Sequence, residues 1–224
     1  MKIIRFQQKR FVLVLVVIVF FVIVHILRNS SNSEVLDCLL SSDDLKKVEN
    51  LLHDLQAPLQ DLKLTHFLCY NSLWGALKFK GPLPWQNGLD ICVLNKELSL
   101  IDEGFLIRTF KRHNLNIAYN SAGGFYKVQR FSELLPSATL TVFEEDPITF
   151  QMRRVGFIHR MLPPTACEEL NCFPPELIVD PMPKASFGEL NVPVPRDGIE
   201  MQKYLFPNTW WKEITPINCR QNIE

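Results

Sequence analysis

The stretch of the chain best suited to chemistry runs from Cys69 to Asp90. A turn-rich start at residues 70–72 leads into a short apolar run and then a Gly-Pro-x-Pro-Trp loop. Asp90 follows at the beginning of the apolar segment 89–94, whose composition predicts a buried strand. A carboxylate at such a strand start, facing a loop with free backbone N–H groups, is suited to holding a metal–phosphate group.

Two segments of the sequence resemble the LicD family, which includes fukutin and fukutin-related protein. The family pattern is roughly G-T-L-L-G-A-x-R, a short loop, then P-W-D-x-D-x-D, and residues 71–90 contain N-S-L-W-G-A-L-K followed by P-W-Q-N-G-L-D. Later in the chain, and in the family's order, come Gly188, a Val-Pro segment at 192–195, and a tail with Tyr204 and two tryptophans at 210–211. The resemblance covers roughly residues 64–211 and is loose only between 125 and 160.

The resemblance implies a nucleotidyltransferase-like fold of the α/β (α+β) class, a mixed sheet with flanking helices, here preceded by one N-terminal transmembrane helix. The residue pattern itself predicts three helices. The first begins at Ser41–Ser42 and ends at Pro58, and the other two span 99–113 and 199–205. A helical turn is predicted at 73–78. It predicts strands at 64–68, 89–94, 116–119, 125–129, 139–143 and 154–159, with a tight turn at 122–124. The proline-rich residues 162–195 predict little regular structure.

The family transfers a phosphorylated alcohol from a CDP-linked donor to a glycan, and its members carry three alternating carboxylates after the tryptophan. Alternation places the three on one side of an extended segment, where they suit Mg²⁺ or Mn²⁺. In this chain those positions are Gln86, Gly88 and Asp90. With one carboxylate in place of three, we expect weak metal binding and an impaired transfer reaction.

Four residues are candidates for the site, and each has a plainer alternative. Asp90 is a residual catalytic residue and weak metal ligand, or simply a polar residue at a strand start. For substrate binding, Ser72 would contact a phosphate or cap a helix, and Lys78 would neutralise a diphosphate or be a solvated surface charge. Trp85 would contact substrate or, like Trp74, pack in the core or a loop.

A rival hypothesis keeps the domain active as a phosphotransferase with bound Mg²⁺ or Mn²⁺. Glu144, Glu145 and Asp146 form an acidic run that would supply the missing carboxylates, although such a run is usually a solvated turn. The distinguishing observation is whether a second carboxylate lies within about 6 Å of Asp90, the range over which ionised neighbours couple.

The N-terminal residues predict a membrane anchor. Residues 11–27 are apolar except for His25, and at about 1.5 Å per residue they span roughly 25 Å of bilayer. Basic residues precede this run, and the first acidic residue is Glu34, which predicts a cytoplasmic N-terminus. A cleaved signal peptide is the alternative, but the run is long and the following residues make a poor cleavage site.

The predicted organisation is a cytoplasmic tail at 1–10, a transmembrane signal-anchor at 11–28, a linker and stem helix at 29–63, and a lumenal LicD-like domain at 64–224. This makes the chain a single-pass type II protein of the Golgi or endoplasmic reticulum. Beyond residue 28 the chain has 19 Lys and Arg against 24 Asp and Glu, which argues against nucleic-acid binding. The expected partners are the bilayer and a glycan or glycosyltransferase.

All six cysteines follow the anchor, so in an oxidising lumen at least one disulfide is expected. Cys167 and Cys172, close together in the proline-rich segment, are the leading local pair. Cys69 and Cys92 lie in apolar segments, which favours plain burial. The spacing of the cysteines matches no structural zinc site.

Overall fold

The computed structural model describes residues 39–157 and 172–212. The predicted anchor at 11–28 lies outside these residues. Within the described ranges, no helix combines the length and the apolar character that crossing a bilayer requires.

Five α-helices and eight strands make up the described residues. The helices are α1 (Ser42–Asp61), α2 (Tyr70–Trp74), α3 (Asn95–Leu98), α4 (Glu103–Arg112) and α5 (Gly198–Leu205); a π-helical turn (Gly75–Phe79) extends α2, and a short 3-10 helix spans Pro175–Ile178. The strands are β1 (His66–Leu68), β2 (Gly88–Leu94), β3 (Leu115–Asn120), β4 (Phe125–Arg130), β5 (Ser137–Glu145), β6 (Met152–Arg154), β7 (Lys184–Phe187) and β8 (Leu190–Pro193).

The main sheet is mixed and has the strand order β1-β2-β5-β4-β3. Strands β2 and β5 run parallel, whereas the other neighbours pair antiparallel. Strand β6 pairs with the end of β5 beyond β4, and β7 and β8 form a separate hairpin. A mixed sheet with flanking helices confirms this part of the predicted fold class.

Helix α1 packs into the same core as the sheet. Ser41 caps it by accepting a hydrogen bond from the Asp44 N–H at 3.1 Å, as the sequence predicts. Its apolar stripe, which includes Leu51 and Leu55, is fully buried, and the helix contacts β2 and β5. The helix assigned to the stem is thus part of the compact unit that begins at Leu39.

The prediction that Pro58 ends α1 is wrong, because the helix continues to Asp61. A proline this close to the helix end removes one backbone hydrogen bond, and burial of Leu59 in the core favours the extra turn. The chain leaves the helical conformation at Lys63, whose φ of 53° lies in the left-handed region.

Three other elements differ from prediction. The helix predicted at 99–113 begins later, at Glu103, because Asp102 caps its start by accepting a hydrogen bond from the Phe105 N–H. Its buried face carries Leu106 and Phe110, four residues apart, whereas Phe105 is 46% exposed. The strand predicted at 154–159 overlaps β6 only at Arg154, where β6 ends, and residues 158–159 lie outside the described residues. The proline-rich segment contains the hairpin β7–β8, which turns at Gly188.

Candidate functional site

The site is built where β1 ends, α2 begins and β2 starts. Leu68 pairs with Ile91 in the antiparallel β1–β2 ladder, so the next residue, Cys69, lies opposite Asp90. The Cys69 N–H donates to the Asp90 carbonyl oxygen at 3.2 Å, and Cys69 then occupies the N-cap position of α2. The ladder therefore brings the first turn of α2 against the beginning of β2.

A disulfide joins Cys69 to Cys92, with a Cα–Cα distance of 5.8 Å. Both cysteines are fully buried, but the prediction of plain burial is wrong because they are bonded to each other. The expected disulfide is therefore present, but it joins two cysteines that are 23 residues apart and whose spacing in the sequence does not indicate a bond. Cys172 is also disulfide-bonded, while Cys167 lies outside the described residues, so the Cys167–Cys172 pair stays a prediction.

Asp90 is held by three neighbours. Its backbone N–H donates to Ser72 Oγ at 2.7 Å, and its carboxylate oxygen Oδ2 accepts a hydrogen bond from Gln86 Nε2 at 3.1 Å. The backbone N–H of Asn71 also donates to the carboxylate. Burial raises the pKa of Asp90 above its ordinary value, while these hydrogen bonds and the charge of Arg154 partly oppose the rise.

Ser72 is not a helix cap, because Cys69 holds that position and Ser72 lies inside α2. The side chain is buried, and its hydroxyl oxygen accepts the hydrogen bond from Asp90. Ser72 therefore positions the start of β2, and its contact with a phosphate stays a prediction.

Lys78 and Trp85 each contact an aromatic neighbour. Lys78 Nζ is 4.9 Å from the centre of the Trp74 ring, and Trp85 packs edge-to-face on Phe79 at 5.8 Å. Among the described residues, neither side chain makes a hydrogen bond or ion pair with Asp90. Their role in substrate binding therefore stays a prediction.

The acidic run at the end of β5 lies far from Asp90. Asp90 pairs with Thr139, and Glu144 lies five residues further along β5, about 16 Å away at the usual rise per residue. Glu144 accepts a hydrogen bond from Asn95 Nδ2 at 2.9 Å, at the opposite end of β2 from Asp90. The expectation that residues 144–146 supply the missing carboxylates is therefore wrong.

Asp146 is committed to its own turn. Hydrogen bonds from the backbone N–H groups of Ile148 and Thr149, with a smaller effect of Arg153, hold the pKa of Asp146 below its ordinary value. Its side chain is buried and pairs with Arg153 at 3.1 Å. The residue thus stabilises the β5–β6 turn and is not the solvated turn residue that the sequence indicates.

The donor groups around Asp90 do not fit a resident Mg²⁺ or Mn²⁺. Such ions prefer several anionic oxygens, whereas the Gln86 amide donates a hydrogen bond to Asp90 and Gly88 has no side chain. Within the part of the chain that the structure describes, no three His, Cys, Asp or Glu side chains are grouped to hold a metal ion.

The raised pKa of Asp90 predicts how stability depends on pH. Above the pKa of an unfolded aspartate, about 3.9, the folded state retains the proton more strongly than the unfolded state. Stability should therefore fall as pH rises from that value through the folded-state pKa. We expect Asp90→Asn to match wild type near pH 4 and to exceed it in free energy of unfolding at neutral pH.

Urea denaturation between pH 4 and pH 8 measures this difference. Glu145→Gln, which removes an exposed carboxylate of β5, is the control. A variant Asp90→Asn that is less stable than wild type at neutral pH would contradict the assignment of burial as the dominant effect.

Asn71 and Arg154 are neighbours of Asp90 that sequence reasoning missed. Asn71 lies in the segment that resembles the family. Its residue type, however, does not indicate that its backbone N–H bonds to the Asp90 carboxylate. Arg154 lies far from Asp90 in the sequence, because β3, β4 and β5 come between them. The pairing of β6 with β5 brings Arg154 near Asp90.

The sequence model of one protein family matches residues 63–197, more than half of the chain. The family is described as LicD/FKTN/FKRP, nucleotidyltransferase domain. The match includes Asp90 and the whole main sheet, and it ends at Asp197, the N-cap residue of α5. A search of curated proteins found no match to this chain.

Proposed function

The chain belongs to the LicD/FKTN/FKRP nucleotidyltransferase family, and we propose that it is a type II membrane protein with an impaired LicD domain that acts in or around glycan modification. The family itself supports a glycan-modifying, phosphotransferase-like role. The proposed partner is a glycan or a glycosyltransferase of the secretory pathway.

The hydrogen bond from Gln86 Nε2 to Asp90 Oδ2 is the observation that carries the proposal of impairment. Gln86 stands where the family carries the first of its three carboxylates. The Gln86 side-chain amide donates to the Asp90 carboxylate oxygen that a metal ion would need as a ligand. The amide is neutral, so it adds no negative charge to the site. A donor diphosphate then lacks the divalent ion that would neutralise it in the transition state.

The alternative is an active phosphotransferase that moves a phosphorylated alcohol from a CDP-linked donor to a glycan. It requires a second carboxylate beside Asp90, and the acidic run considered for that role, residues 144–146, lies at the other end of β5. Metal-dependent nucleotide binding separates the two functions. If the site is impaired, CDP should bind the full chain no more tightly in Mn²⁺ than in EDTA, as measured by calorimetry.

The membrane location is supported by the apolar run at 11–27 with its basic N-terminal flank. The buried disulfide Cys69–Cys92 is also consistent with folding in an oxidising compartment such as the Golgi or endoplasmic reticulum. A tag at the C-terminus should resist protease in sealed microsomes. Its digestion without detergent would contradict the proposed orientation.

A further inference from the structure

The turn that extends α2 leaves a group of large apolar side chains exposed. Leu77 and Phe79 lie in the π-helical turn Gly75–Phe79, and both are exposed, Phe79 to 48%. Leu77 lies against the start of α5, since a Cβ added at Gly198 would be 3.0 Å from Leu77 Cδ1. The next residue of α5, Ile199, is exposed as well. Exposed apolar side chains that adjoin one another, rather than occurring singly, mark an interaction surface.

The same surface borders the point where the chain enters the folded domain. The Leu40 N–H donates to the Pro84 carbonyl oxygen at 2.7 Å, and the next residue in the loop, Trp85, packs edge-to-face on Phe79. Leu39, the first described residue, is also exposed. The exposed side chains at this end of the domain form what we call the docking face: Leu39, Leu77, Phe79, Lys80 and Ile199.

Lys80 gives the docking face a positive charge. Its side chain is exposed and makes no ion pair with another described residue. The acidic side chains at the border of the face already have partners, because Glu189 pairs with Lys46 at 3.0 Å and Asp197 caps α5. The face thus combines apolar side chains with a cation, the composition of protein surfaces that lie in the headgroup region of a bilayer.

The predicted anchor keeps this face within reach of a membrane. Residues 29–38 join the apolar run to Leu39 and, at about 3.5 Å per residue, extend at most about 35 Å. A surface on so short a tether meets the bilayer at a high effective concentration, so a few side chains are enough to hold it there. A bilayer is therefore the partner that fits a small apolar face with one cation.

We propose that the docking face lies on the bilayer surface beside the predicted anchor. Leu77, Phe79 and Ile199 enter the boundary between headgroups and acyl chains, and the Lys80 ammonium contacts the lipid phosphates. The inference rests on the proposed function, because it requires the anchor at 11–28.

Docking in this way also orients the candidate site. Trp85 packs on Phe79, and the chain continues from Trp85 through Gln86 to Asp90 at the start of β2. The docked domain therefore holds this segment close to the membrane surface. Such an orientation favours a glycan or glycosyltransferase that is itself membrane-bound over a partner that is free in the lumen.

Lipid crosslinking of the full chain tests the proposal. The chain is reconstituted into phosphatidylcholine liposomes that contain a photoactivatable phosphatidylcholine, and the lipid adducts are mapped by mass spectrometry. We expect adducts on the peptide that contains residues 77–80 as well as on the anchor. Phe79→Ser should lower the yield at 77–80 about fivefold, the scale of withdrawing half of a phenylalanine side chain from apolar surroundings. Lys80→Glu should lower it as well, because the new carboxylate is repelled by the lipid phosphates.

Phe131→Ser is the matched control, since Phe131 follows β4 and is 59% exposed outside the docking face. It should leave the yield at 77–80 unchanged. Melting temperature is the folding control, and Lys80→Glu, which alters a fully exposed side chain, keeps the test valid if Phe79→Ser does not fold.

The pattern of adducts separates failure of this inference from failure of the membrane location. Adducts on 11–28 without any on 77–80 would overturn the inference, leave the docking face to a protein partner and keep the proposed function. Labelling of 77–80 that neither Phe79→Ser nor Lys80→Glu reduces, or that the peptide around Phe131 matches, would overturn the assignment of this face. A lack of adducts on both 11–28 and 77–80 would overturn the inference together with the proposed membrane location.

Discussion

Replacing both Cys69 and Cys92 with alanine is expected to lower the free energy of unfolding by about 3 kcal/mol. The disulfide closes a loop with a sequence separation of 23, so its loss frees a sizeable segment of the unfolded chain. Alanine is chosen because a serine hydroxyl at these fully buried positions would lack a partner. Urea denaturation of the variant and the wild type measures the difference.

Ile91→Val is the packing control for this experiment. Ile91 is buried on β2, next to Cys92 and opposite Leu68, the residue before Cys69. Loss of one methylene there should cost about 1 kcal/mol of folding free energy. The cysteine variant should also loosen the first turn of α2, since Cys69 is its N-cap residue. A loss of stability no greater than that of Ile91→Val would show that the disulfide does not stabilise this junction.

Gln86→Asp is expected to give the chain Mn²⁺-dependent CDP binding, tighter by about tenfold or more than in wild type, the scale of one charged contact. The new carboxylate would lie beside Asp90, because Gln86 Nε2 already approaches Asp90 Oδ2 to 3.1 Å. Two neighbouring carboxylates repel each other without a cation and attract a hard divalent ion. Mn²⁺ should therefore also raise the melting temperature of the variant more than that of wild type.

Gln86→Asn is the matched control, since asparagine has the size of aspartate without its charge. If both variants respond to Mn²⁺ alike, or neither does, charge at residue 86 is not what limits metal binding. Adding Gly88→Asp is not a clean extension. A Cβ at Gly88 would lie 2.9 Å from the Ser137 carbonyl oxygen, so the double variant should lose stability through a clash with β5.

Local patterns in the sequence predict much of the scaffold. Ser41 followed by two acids predicts the start of α1, and the apolar run after Asp90 predicts β2. The glycines at 123–124 predict the turn between β3 and β4. These features depend on neighbouring residues, so a single sequence contains the information that determines them.

Local patterns in the sequence do not predict which distant strands pair with each other. The parallel β2–β5 register separates Glu144 from Asp90, and the antiparallel β1–β2 ladder brings Cys69 to Cys92. The same register aligns Asp90, Thr139 and Lys127 in one row across three strands, although they are far apart in the sequence. The β7–β8 hairpin was not predicted because prolines surround it, and one of them, Pro193, is its last paired residue, opposite Lys184.

We expect that Asp90, whose carboxylate accepts a hydrogen bond from the Gln86 amide, forms no metal site for a nucleotide donor. The most direct test is calorimetric titration of CDP into the full chain in Mn²⁺ and in EDTA, for wild type and for Asp90→Asn. Neither the metal nor the substitution should change the affinity for CDP. Tight binding by wild type that requires Mn²⁺ and disappears in Asp90→Asn would contradict it and identify an active phosphotransferase site.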